Sequence, residues 1–308
     1  MHIAVKILAA TVTTALIAVG GAATWHLHQK MPVRDGTVHM RTLSAPVTVT
    51  YDDRGVPHIQ AQNEADLYRT LGYVHAQDRL FQMEMVRRLA NGELAELLGP
   101  KLLETDKLFR TLGLRDHAQK TAQAMDLNTP AAKALVAYLD GINQFQASHP
   151  APLEFEVLHI PKRPFTVQDT LAVTGYLAYS FAAALRTEPP LTYVRDKLGP
   201  DYLRIFDLDW HPEGVVGRGS AAYRARPTTS ALQDKDWEGL QHLAALGQSA
   251  LETAGVPVFE GSNAWVISGK RTASGKPLLA GDPHIAYSAP SVWYEAHLSA
   301  PGFGLYGH

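Results

Sequence analysis

The chain contains no cysteine. That absence removes disulfides, thiolate metal sites and a cysteine nucleophile together. It is compatible with an oxidising compartment without demanding one. Charge of one sign is lacking too: 308 residues carry a formal net charge of −2, and no long basic run appears. There is thus no electrostatic case for nucleic acid as a partner. No internal repeat is present, and no HExxH pattern, Walker loop or dinucleotide fingerprint competes for the function. What remains is an ordinary globular composition, 46% hydrophobic and 19% charged, sufficient for one or two cores.

Residues 7 to 23 carry no charge and follow Lys6. This reads as the core of an export signal, with small residues at Gly21-Ala22-Ala23 where a peptidase would cut. The run also reaches the lower limit for a spanning helix, about 17 residues. Residues 1–30 are therefore either a cleaved signal peptide or a membrane anchor. A buried N-terminal helix fits less well, because the run has no polar face. Both open readings place the protein outside the cytoplasm, in the periplasm or anchored on the outer side of the inner membrane. His26 and His28 lack further ligands nearby and read as interfacial.

Residues 24 to 45 read as a connector. Val47 to Tyr51 alternates and is β-branched, which predicts a strand. Asp52-Asp53-Arg54-Gly55 turns the chain, and 57–61 supplies a partner strand. Asn63 caps a long helix with Glu64 and Asp66 in its first turn. Leu67, Leu71, Val74, Phe81, Met85 and Leu89 form its apolar stripe. Asp78 lies on the same stripe, where a carboxylate needs hydrogen bonds or a cation; Arg79, Arg87 and Arg88 are the candidate partners. It is either catalytic or, the better reading, part of a buried ionic lock. Further helices are expected over 130–146, 169–185, 191–198 and 238–253, with Pro189-Pro190 as an interruption. Residues 211–236 read as a linker. Strands are expected over 264–268, 277–280 and 292–298, with Trp265 and Ile267 pointing into the core.

Within Glu260-Gly261-Ser262-Asn263-Ala264-Trp265, a Gly-Ser bond sits directly before a strand-like run. If the Ser262 hydroxyl attacks the Gly261 carbonyl, the peptide bond shifts to an ester. Hydrolysis then frees Ser262 as a new N-terminus. Its α-amine, with an ordinary pKa of roughly 8, can activate its own hydroxyl. Gly261 gives the hydroxyl access, having no Cβ. The triplet alone is equally a turn before a strand, and Gly219-Ser220 shows how common the pair is.

The surroundings carry more. Ser262-Asn263-x-Trp265-Val266-Ile267, Ser274-Gly275-Lys276-Pro277, Gly281-Asp282-Pro283-His284 and Ala289-Pro290-Ser291 resemble the start of the second chain of penicillin acylase-type N-terminal nucleophile hydrolases. Upstream, Gly55-Val56-Pro57-His58-Ile59 and the long block from Gly72 to Arg88 resemble the first chain of that family. Gly92 to Gly99 and Pro161-Lys162-Arg163-Pro164 continue the match, which covers about residues 46 to 308 with gaps.

The resemblance implies an α+β protein with a four-layer αββα core. It implies a first chain over 31–226, largely helical, a spacer over 227–261 that is excised, and a second chain opening at 262 and truncated at 308. The full protein is then expected to continue beyond His308, and its partners are its own processed second chain and a small N-acyl amide. The reaction implied is amide hydrolysis by a self-processing zymogen, with antibiotic metabolism among its settings. Ser262 would be the nucleophile. His284, 22 residues on, would support the hydroxyl and the oxyanion; it departs from the glutamine of penicillin G acylase towards the cephalosporin and acyl-homoserine-lactone acylase branches. Asn263, the immediate neighbour of Ser262, would brace the loop or satisfy the strand start. Phe181 would line the acyl pocket, with Ser180 where penicillin G acylase has an arginine. Glu188 lies close to a calcium-ligating glutamate of the family, so a structural Ca²⁺ is an expectation, and none is needed for catalysis. The rival reading is a membrane-anchored, non-catalytic binding domain that keeps the fold without cutting itself.

Overall fold

The computed structural model describes residues 2–182, 184–206, 234–254, 259–285 and 287–308. The chain divides into two compact units, residues 1–91, 115–173 and 289–308 forming the first, and residues 92–114 and 174–288 the second. Segment 289–308 belongs with the N-terminal body, whereas Ser262 falls in the other unit. Most of the linker expected over 211–236 lies outside the described residues.

The first unit begins with helix α1 (His2–His28), so the helix continues well past residue 23 into the expected connector. Strands β1 (Thr48–Tyr51) and β2 (Pro57–Gln60) pair antiparallel around the Asp52–Gly55 turn. The last two strands of the chain, β5 (Ala296–Ala300) and β6 (Phe303–Gly307), complete one four-stranded sheet in the order β1-β2-β5-β6. The β2–β5 pairing is parallel, with His58 beside His297 and Ile59 beside Leu298. The strand expected over 292–298 thus starts later, at Ala296. Ile59, Ala61, Leu67, Val74, Ala296 and Leu298 make the core between this sheet and a long helix.

That helix, α2 (Glu64–Asn91), starts where the cap was read: Asn63 Oδ1 accepts from the Asp66 amide at 2.8 Å. Asp66 is buried. Burial pushes its carboxyl up, but hydrogen bonds from Ser44, Asn63 and Ala45 outweigh this and hold it below the usual value. Of the predicted stripe, Leu67, Val74 and Leu89 are buried.

Helix α6 (Pro130–Ser148), capped by Thr129, crosses α2 at close range. A Cβ on Gly72 would run into the Tyr138 carbonyl, and one on Gly141 into the Arg69 carbonyl. Two glycines therefore let the backbones touch reciprocally. Helix α7 (Leu153–Val157) fills part of the proline-rich crossing, and α8 (Val167–Phe181) follows.

The ionic lock is present but centred on another carboxylate. Glu84, fully buried, pairs with Arg87 and accepts from Arg88 Nε at 2.7 Å. Arg87 also donates to the Arg163 and Pro164 carbonyls and lies over the Phe165 ring. Asp78 instead accepts from the Tyr294 hydroxyl at 2.8 Å, with Arg34 at 3.8 Å. The turn of helix between Asp78 and Glu84 explains the exchange: Glu84 has Arg87 and Arg88 at i+3 and i+4, on its own face.

In the second unit, α3 (Ala95–Leu98) and α4 (Leu103–Leu112) are joined by buried Asp106, which accepts from the Leu94 and Ala95 amides. Helix α9 (Ala184–Tyr193) contains Pro189 and Pro190 rather than stopping at them. Proline's fixed φ is compatible with helix, so the two residues are accommodated at the loss of two backbone donors. Residues 194–198, expected to be ordinary helix, form a π-helical turn. Helix α10 (Asp234–Ala254) packs on α4 and α9 through Trp237, Ala244 and Ala250.

Candidate active site

Ser262 lies in a two-stranded hairpin of the second unit, β3 (Phe259–Ile267) paired antiparallel with β4 (Leu278–Ile285). Gly269 makes the tight connection: a Cβ there would meet the Gly275 carbonyl. The strand begins upstream of the serine, so the Gly261–Ser262 bond is inside the ladder rather than ahead of it. A register shift between Phe259 and Gly261 marks a bulge immediately before that bond. Bulges bend the strand and re-aim neighbouring groups.

Pairing of 264–268 with 277–280 predicts a Gly281–His284 turn that returns to the Ser262 end; the register does bring His284 there, but 281–284 continue β4 as strand rather than turn. Gly261 pairs with His284, Ser262 with Pro283, and Asn263 with Asp282. Side chains alternate faces along a strand. Asn263, Asp282 and His284 therefore share one face, and Ser262 projects to the other with Pro283. On the shared face His284 Nε2 is 3.0 Å from Asp282 Oδ2 and 3.5 Å from Asn263 Nδ2. The sequence reading missed Asp282. Its signal was available: the i, i+2 spacing in Asp282-Pro283-His284 puts both groups on one face of a strand. The imidazole does not stand over the Ser262 hydroxyl, and what His284 brings closest to the Gly261–Ser262 bond is backbone.

Ser262, Asn263 and His284 are all exposed. Trp265 is exposed as well, at 56%, contrary to its expected place in the core. Val266, Leu278 and Leu279 are also exposed. These residues sit on both faces, because a two-stranded ribbon cannot bury either face by itself.

Ser180 and Phe181 close α8. Ser180 is buried and donates to the Leu177 carbonyl at 2.7 Å, while Phe181 is 48% exposed. Glu188 is exposed on α9. Among the described residues no three His, Asp or Glu side chains converge to hold a metal. Calcium takes six to eight oxygens, carbonyls included, so Glu188 by itself does not define a site.

The chain is thus an α+β protein whose Gly261–Ser262 bond lies inside a hairpin, opposite His284. The Penicillin amidase family model matches residues 46–308, and the chain belongs to that family. It is 36% identical over 296 residues to Penicillin acylase 2 proenzyme of Pseudomonas sp. (strain SE83), covering 91% of this chain and 35% of that protein. It is 29% identical over 299 residues to Acyl-homoserine lactone acylase QuiP of Pseudomonas aeruginosa, covering 95% of this chain and 34% of that protein. Thermostable Penicillin G acylase from Alcaligenes faecalis matches structurally with a TM-score of 0.42 and 27% identity, over 57% of this chain and 97% of that chain. The chain thus spans about a third of the length of these two curated relatives.

Proposed function

We propose that Gly261–Ser262 is the self-cleavage bond of a serine N-terminal nucleophile amidohydrolase acting on N-acyl substrates. The observation that carries this reading is the position of that bond in a chain of this family: within a paired strand, just after a bulge, and opposite His284. The relatives supply the substrate class by their names, one a penicillin acylase proenzyme and the other an acyl-homoserine lactone acylase.

The steps balance without a cofactor. Ser262 Oγ attacks the Gly261 carbonyl carbon, the C–N bond breaks, and an ester forms as the Ser262 amine is released. Water hydrolyses the ester to the Gly261 carboxylate and restores the hydroxyl. In turnover the free amine takes the hydroxyl proton while Oγ attacks the substrate carbonyl. The proton passes to the departing amine, and water releases the acid from the acyl-enzyme. Backbone donors near His284 would stabilise the oxyanion, with Asn263, inside β3 rather than at its start, bracing the His284 ring across the hairpin.

The same reading assigns 31–226 to the first chain, 227–261 to the excised spacer and 262 onward to the second chain, the two remaining together as a heterodimer in an exported protein. Phe181, exposed beside Ser180, would contact an apolar acyl group. A structural calcium at Glu188 would draw its other ligands from outside the described residues.

Intact-mass measurement and N-terminal sequencing test the proposal. Full-length protein is expected to yield a chain beginning Ser-Asn-Ala-Trp. Ser262→Ala is expected to abolish both scission and amide turnover. An active, unsplit enzyme would refute the assignment.

A further inference from the structure

Helix α1 takes no part in this chemistry. Its segment Ala10–His28 has a mean hydropathy of 1.2 and is wholly unburied. Nineteen helical residues rise about 28 Å, close to the roughly 30 Å of a hydrocarbon core. Thr11, Thr14 and Thr24 donate their hydroxyls to the carbonyls of Ile7, Ala10 and Gly20. These polar side chains are thereby satisfied within the helix, as lipid requires. Trp25, 64% exposed, and His26 lie at the C-terminal end, where amphipathic rings suit a membrane–water interface.

A cleaved signal shares this composition; the manner of attachment sets α1 apart. The helix runs unbroken through Gly21-Ala22-Ala23, so the bonds a peptidase would need extended are helical. Just past the span, the largely buried Lys30 ammonium donates to the Ala151 carbonyl at 2.7 Å and to Glu156 Oε1 at 2.6 Å. His26 Nε2 meets Glu156 Oε2 at 2.8 Å. The last turn of α1 is thus clamped to α7 without a linker. Thr24, Leu27 and His28 also form one wall of a cleft of about 1190 Å³, with Leu153 and Trp293 among its other lining residues. A cut after Ala23 would place a charged amine on that wall.

We propose that α1 is a retained membrane anchor and that the Glu156 clamp to His26 and Lys30 holds the mouth of this cleft against the bilayer surface. Span, clamp and cleft all belong to the first unit, so its orientation follows from the helix that crosses the lipid. The partner is a phospholipid bilayer.

Two measurements on the full-length protein test this, and neither depends on Ser262 chemistry. Membranes from expressing cells are washed with alkaline carbonate and the polypeptide that contains Glu156, split or unsplit, is weighed by mass spectrometry. The expected result is a pelleted chain that retains residues 1–28; a chain that starts at or after Ala22 and appears in the wash overturns the anchor. For the clamp, the absence of cysteine makes a single label clean. Leu153→Cys, labelled with a fluorophore, is placed in phosphatidylcholine vesicles carrying a nitroxide on the headgroup. Quenching is expected, and Glu156→Ala should reduce it severalfold while the protein stays in the vesicles. No quenching overturns the orientation, and quenching unchanged by Glu156→Ala overturns the clamp.

Discussion

The α2–α6 crossing and the β3–β4 hairpin show two ways of holding residues in place. At the crossing, backbones touch through Gly72 and Gly141, and a buried Glu84 is enclosed by Arg87 and Arg88. Each group there depends on a partner that could not be moved cheaply. The hairpin holds Ser262 in a two-stranded ladder, with Trp265, Val266, Leu278 and Leu279 exposed across its two faces. Rigidity therefore lies in the scaffold. The bond proposed to break lies where backbone can rearrange without disturbing a core. Mutations that damage the crossing should unfold the protein, and mutations in the hairpin should change its chemistry first.

The largest effect is expected from Glu84→Ala. It removes the carboxylate that the buried Arg87 and Arg88 share and leaves Arg87 with the more distant Asp169 at 3.8 Å, a loss of roughly 3–5 kcal/mol for a broken buried pair. Chemical denaturation of the Ser262→Ala background, which keeps the chain uncut, measures it. A cost below about 1 kcal/mol would show the lock to be a surface pair in effect.

Acid should act on the same region. His75, on α2, is bonded to the Tyr138 hydroxyl and stacked on Tyr294. Burial, with a smaller contribution from Arg79, lowers its pKa from 6.5 to about 4. The unfolded chain binds the proton first, so the stability His75 supplies as a neutral ring is complete above pH 6.5. It falls as pH drops through that window to about 4, by up to about 3 kcal/mol. Urea midpoints at pH 7.5 and pH 4.5 measure the limb, and His75→Phe should flatten it.

Gly141→Ala follows. The added methyl meets the Arg69 carbonyl, so the helices must part, at a cost towards the upper end of the roughly 1–3 kcal/mol of overpacking. An unchanged melting temperature would mean the crossing has slack that the backbone contact denies.

Much of this scaffold was legible in the sequence, and the reasons are local. Asn63 three residues before Asp66 and the stripe along α2 each speak through neighbours in the chain. So did the return of His284 to the Ser262 end. Three features did not. Glu84 and Asp78 both lie near arginines, and only packing decides which carboxylate is enclosed; the partner Asp78 takes, Tyr294, is 216 residues away. Gly72 and Gly141 read as ordinary helical glycines, because a close backbone approach has no signature in either helix alone. Trp265 was assigned inward from alternation, which identifies a face but not whether anything covers it.

The smallest effect is expected from Trp265→Ser, and it sharpens the comparison most. If the hairpin is held by its ladder, removing an indole that is 56% exposed should alter the stability of the uncut chain by less than about 0.5 kcal/mol. A buried indole would cost roughly 3–5 kcal/mol on truncation, so the two cases are well separated. Trp237, 2% exposed on α10, is the internal control, and Trp237→Ser should show the larger loss. Acrylamide quenching gives an independent view, since the accessible share of the emission should fall when Trp265 is removed and rise when Trp237 is. A cost of several kcal/mol at Trp265 would mean that this face of the hairpin is covered in the folded protein, and the contrast between a packed scaffold and a ladder-held Ser262 would no longer stand.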